Sequence, residues 1–157
     1  MCSLRTTRGD PDSHFCAATV VNNRWVMTSG VCCFGMDQID VLAGVSHLHD
    51  HNGQEVMSSQ VVIHPEFDIM NNFNDICMIQ LAQPLVFGET LMPVQLPMAG
   101  EETDAGTMTT VMGWGITHLR KPHTEKLHEV NVTVVDDADC QVSQKILQQS
   151  NSDNKKL

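Results

Sequence analysis

The chain is short of cations, has no long apolar run and contains no Cys-x-x-Cys pair, and each lack closes a class of function. Nine lysines and arginines stand against nineteen acidic residues among 157, a formal charge of -10. Such a field repels phosphate backbones and no basic stripe interrupts it, so nucleic acid is not expected as a partner. No apolar stretch approaches the roughly 20 residues that span a bilayer, so no membrane role is expected either. Residues 1–8 hold no apolar core of the kind a secretion signal carries, and a chain starting as written is expected to stay in the cytosol. Six cysteines occur (Cys2, Cys16, Cys32, Cys33, Cys77 and Cys140), but no Cys-x-x-Cys, so structural zinc is not indicated. Internal repeats and low-complexity tracts are absent as well.

What is present suits a folded domain. Hydrophobic residues make up 41%, enough for a core. Short apolar runs alternate with turn-forming residues, which is an all-β pattern. Residues 15–21, 25–28, 39–43, 54–63 and 76–81 read as strands. Turns are expected at Asn22-Asn23, Asp37-Gln38, His51-Asn52-Gly53, His64-Pro65 and residues 71–74. Pro84, Pro93 and Pro97 then break the pattern. Residues 107–115 and 127–135 read as two further strands. Asp136 or Asp137 can cap a helix over 138–149, with Val142 and Ile146 one turn apart, before a polar end at 150–157. The resulting division is a β-rich unit over 1–97, a linker over 98–106 and a shorter unit over 107–157. Fifteen residues separate Cys16 from Cys32, a loop that one disulfide closes for about 3 kcal/mol in the chain-entropy model. That bridge needs an oxidising compartment, at odds with the missing signal.

Several segments carry a family likeness in their order and spacing. Residues 25–32 read Trp-Val-Met-Thr-Ser-Gly-Val-Cys, preceded by Ser13-His14-Phe15-Cys16-Ala17-Ala18. Downstream come Asn74-Asp75-Ile76-Cys77-Met78-Ile79-Gln80-Leu81, then Gly113-Trp114-Gly115, then a Leu127 to Cys140 segment. Together they resemble the trypsin- and chymotrypsin-like serine proteases over most of the chain. The resemblance implies an all-β fold: a trypsin-like antiparallel β-barrel of six strands nearly complete, a second barrel only begun, and a short C-terminal helix. It also implies an extracellular protein, peptide or protein substrates, and no cofactor.

Peptide hydrolysis by that route needs a serine nucleophile, a histidine base, an aspartate that orients it, and an oxyanion hole. By resemblance Asp75 fills the aspartate position. Val31 stands where the family has histidine, and an isopropyl group accepts no proton. No Gly-Asp-Ser-Gly-Gly segment precedes Leu157, and no Ile-Val-Gly-Gly start is present. The expectation is a truncated, catalytically inactive protease domain. The alternative is a non-catalytic homologue that binds or regulates a protein partner. Half of a second barrel would also leave strand edges open, so aggregation is expected.

The remaining candidates are weighed the same way. Asp75 is expected to accept hydrogen bonds from amides near Gly30 and Val31, or else to lie in solvent. His47, His49 and His51 share one face of a strand, the arrangement that can hold a transition metal. The Asn52-Gly53 turn favours a solvated loop instead, and no metal site is expected. Calcium is not supported, because Val45 and His47 stand where the family's calcium loop offers oxygen. His64 reads as a turn residue and His14 as a strand residue. Asn131-Val132-Thr133 fits the glycosylation sequon. The resemblance gives Cys140 a partner absent from this chain, so a free thiol is expected. It assigns none to Cys2, Cys33 or Cys77, and Cys77 reads as a small buried hydrophobe.

Overall fold

A computed structural model describes residues 1–117 and 123–142. Six strands close into an antiparallel barrel: β1 (Cys2–Arg5), β2 (His14–Asn22), β3 (Trp25–Thr28), β4 (Asp40–Ala43), β5 (Gln54–Ile63) and β6 (Cys77–Leu81). Their order around the barrel is β1-β2-β3-β6-β5-β4, and β1 pairs with both β2 and β4 to complete it. Successive residues of a strand point to opposite faces, so the inward set repeats every second position. Cys77, Ile79 and Leu81 follow that rule in β6, as do Ala18 and Val20 in β2. With Leu4, Val26, Val41 and Ala43 they fill the core.

Five of the six strands match the sequence reading to within a residue or two, whereas β1 does not appear in it. The reason is chemical. Ser3 and Arg5 are as buried as Cys2 and Leu4, so the strand shows no polar face. Each polar residue is buried with a partner, the condition under which burial is tolerated. Ser3 Oγ lies 2.8 Å from His14 Nδ1. Arg5 donates to the Leu48 carbonyl and pairs with Glu55 at 3.3 Å.

Two compact units result. The first comprises Met1–Leu96 and Gly113–His128, the second Pro97–Met112 and Glu129–Leu157. In the first, the segment after residue 113 is strapped to the loop that follows β4. Leu48 N–H donates to the Glu125 carbonyl at 2.8 Å and Leu127 N–H to that of Ser46 at 2.7 Å. Trp114 is buried there and its indole N–H reaches the Ser46 carbonyl at 3.3 Å. The turn between β4 and β5 depends on Gly53: a Cβ there would lie 2.5 Å from Val45 Cγ1.

The second unit is built on β7 (Met108–Gly113) and β8 (His128–Thr133). Val134 N–H donates to the Thr107 carbonyl at 2.9 Å, and Thr110 Oγ1 meets Asn131 Oδ1 at 2.9 Å. Residues 137–142 are helical. Asp136 is the cap: its Oδ1 accepts the Asp139 amide at 2.8 Å and its carbonyl that of Cys140 at 3.0 Å. The rest of the expected helix, with Ile146, and the polar end lie outside the described residues. The fold is therefore all-β, a closed six-stranded barrel with a small second sheet and a short C-terminal helix. No helix among the described residues is long and apolar enough to cross a membrane.

Candidate functional site

Asp75 ends the loop that runs from β5 to β6. Asn74, at φ 53°, takes the left-handed conformation that asparagine tolerates, and its side-chain amide donates to the Glu66 carbonyl at 2.9 Å. Ile76 N–H then turns back onto the Asn74 carbonyl at 2.7 Å. This tight return aims Asp75 at a short helix, α1 (Gly30–Cys33), whose N-cap Ser29 makes no side-chain capping bond. The carboxylate supplies one from outside: Asp75 Oδ1 accepts the Val31 amide at 2.8 Å. A helix start leaves such amides unpaired, which is why an anionic acceptor is stabilising there. Gly30 gives it room, since a Cβ would lie 3.2 Å from Asp75 Oδ1 and 3.1 Å from the Phe67 ring.

Val31 and Asp75 are thus brought together through the Val31 backbone, while the Val31 side chain is half exposed. An open groove of about 430 Å³ lies alongside, lined among others by Ala17, Met27, Thr28, Cys32, Asp75 and Ile76. The groove is mostly apolar, and no imidazole lines it.

Two disulfides pin α1. Cys16 and Cys32 are joined across 16 positions, tying β2 to the helix. Cys33 and Cys77 are joined across 44, tying the helix to the first residue of β6. The second bridge corrects the reading of Cys77 as an unpaired hydrophobe. Cys2 and Cys140 carry no disulfide. Burial pushes the Cys2 thiol up to about 11.

The other candidates are placed as follows. His47 and His49 have ring centroids 5.5 Å apart, and their Nε2 atoms lie 3.5 and 3.6 Å from the two carboxylate oxygens of Glu125. His47 Nδ1 accepts the His49 amide at 3.3 Å, so neutral His47 carries its proton on Nε2, facing the carboxylate. His51 is exposed. Among the described residues no group of three His, Cys, Asp or Glu side chains is positioned to hold a metal ion. His64 Nδ1 accepts the Glu66 amide at 3.2 Å in its turn. Asn131 is exposed on β8.

His14 was read as a plain strand residue, and it opens β2. It also packs edge-on to Trp114 and His123, with ring centroids 5.7 and 5.3 Å away. Burial first, then the His123 and Arg5 charges, lower its pKa to about 4, so it is neutral at pH 7.

Comparison with known proteins matches the Trypsin family model over residues 1–155. The chain is similar to Trypsin-2 of Salmo salar, 33% identical over 129 residues, covering 81% of this chain and 54% of that protein. It is similar to Trypsin 5G1 of Aedes aegypti, 32% identical over 133 residues, 84% of this chain and 50% of that protein. It is also similar to Trypsin-1 of Astacus astacus, 30% identical over 134 residues, 81% and 56%. The chain spans about half the length of these relatives.

Proposed function

Since this chain belongs to the trypsin family, and Val31 stands where that family carries its general base, we propose a trypsin-like serine-protease domain without peptidase activity. One observation carries this reading: the only bond from Val31 to Asp75 is a backbone amide bond, at 2.8 Å. The carboxylate that would orient an imidazole instead caps α1. A nucleophile in a longer chain would meet valine, which takes no proton, at the position of the family's base. In subtilisin, losing the histidine alone costs about 2 × 10⁶ in kcat, as much as losing the whole triad.

The ancestral substrate class is peptide or protein. Two disulfides support an extracellular setting, because such bonds persist in oxidising compartments. No cofactor is required.

A serine-directed phosphonate and a panel of arginyl, lysyl and aromatic peptide amides test the reading. We expect no label and no turnover, and none from Val31→His in the chain as given. Stoichiometric labelling, or turnover above background in either form, overturns it.

A second reading, a binding protein that cleaves nothing, is favoured by large apolar side chains exposed just after α1 and on the loop before Asp75. Phe34 is 58% exposed, Met70 85% and Phe73 66%.

A further inference from the structure

These exposed apolar side chains sit on a built surface. The Phe34 and Phe67 rings meet edge to face, with centroids 6.5 Å apart, and Phe67 packs beside Gly30. Phe67 therefore links α1 to the loop over residues 64–74, and the Cys33–Cys77 bridge fastens the same helix to β6. Within the loop, Phe67 N–H donates to the His64 carbonyl at 2.9 Å and Asp68 N–H to that of Phe73 at 3.0 Å. The Asp68 carboxylate accepts the Met70 amide at 2.9 Å and the Asn71 side chain at 2.7 Å. Asn72 and Asn74, at φ 55° and 53°, complete the turn. The loop thus presents Met70 and Phe73 from a hydrogen-bonded frame, and preorganisation of that kind lowers the entropic cost of binding. Exposed apolar clusters on such a frame mark interaction surfaces.

The loop's own carboxylates are Glu66 and Asp68, and no lysine or arginine occurs in the sequence between Arg24 and Arg120. The hydrogen bonds from Asn71 and Met70 hold the Asp68 carboxyl below the usual carboxylate range, so it stays ionised. A second copy of the chain would bring the same acidic rim and a charge of -10, and nucleic acid would be repelled likewise.

Deepening the binding-protein reading, we propose that α1 and the loop 64–74 dock a basic segment of another protein. Its apolar side chains seat on Phe34 and Phe73, and its cations lie beside Glu66 and Asp68.

Three labelled peptides of equal length test this on the full chain by fluorescence anisotropy: a lysine/leucine amphipathic peptide, its glutamate/leucine counterpart and a lysine/serine peptide. The lysine/leucine peptide is expected to bind at least about tenfold more tightly than either other, because it alone joins apolar burial to charge complementarity. Phe34→Ser with Phe73→Ser should weaken it about tenfold, with the far-UV spectrum kept. Glu66→Gln, which removes a charge without touching the Asp68 bonds that frame the loop, should weaken it about threefold and lower its salt dependence. The control Glu101→Gln with Glu102→Gln should change it less than about twofold. Equal loss in the control overturns the proposal by showing generic charge attraction. Preference for the glutamate/leucine peptide overturns the basic partner and leaves the binding reading standing. Self-association abolished by Phe34→Ser overturns it in favour of a second copy. If none of the peptides binds, both the proposal and the binding reading fall.

Discussion

The barrel and the β7–β8 ribbon use the same raw material and reach opposite degrees of burial. In the barrel, β4 is buried at all four positions and β6 at every second one. In the ribbon, β8 is exposed at all six positions, with Val130 at 57% and Val132 at 40%. Valines in an extended strand are well suited to either outcome. The difference lies in partners: each barrel strand has a neighbour on both sides, while among the described residues each ribbon strand has one. Alternation makes a strand possible, and closure makes it a core.

The largest test of that contrast is covalent. Replacing Cys33 and Cys77 by serine should lower barrel stability by about 4 kcal/mol, and replacing Cys16 and Cys32 by about 3 kcal/mol, since the chain-entropy term grows with loop length. Both tryptophans, Trp25 and Trp114, belong to the first unit, so urea unfolding followed by their fluorescence reports the barrel. A smaller loss for the longer loop would mean that the second bridge is not a structural constraint.

Truncation of side chains comes next. Leu4→Ala in β1 should cost about 2 to 5 kcal/mol as a buried large-to-small change. Val132→Thr in β8 should stay within about 0.5 kcal/mol. Comparable costs at the two sites would break the distinction between the units.

The last test is in pH. His14 has a folded pKa of about 4 against an ordinary 6.5, so the unfolded chain takes up the proton first. Stability should therefore fall as pH drops from about 6.5 to about 4 and level off below that. His14→Gln should flatten the profile in that window, and an unchanged slope would show that His14 is not its source.

Much of this was legible beforehand. The strands β2 to β6 show their periodicity, and the segments around Trp25, Asp75 and Trp114 place Val31 opposite Asp75 by resemblance. The β1 strand was not legible, because Ser3 and Arg5 look like surface residues until His14, Leu48 and Glu55 are seen to satisfy them. Nor were the backbone bonds that tie Glu125 and Leu127 to Leu48 and Ser46, which leave no compositional trace.

By itself the order of residues determined the family, the β-rich class and the presence of a valine, which accepts no proton, at position 31, since a side chain's chemistry travels with its identity. Tertiary structure decided which carboxylate oxygen meets the Val31 amide, that Cys33 finds Cys77, and that Phe34, Met70 and Phe73 face solvent. Those depend on distances between residues far apart in the chain, and such distances exist only once the barrel has closed.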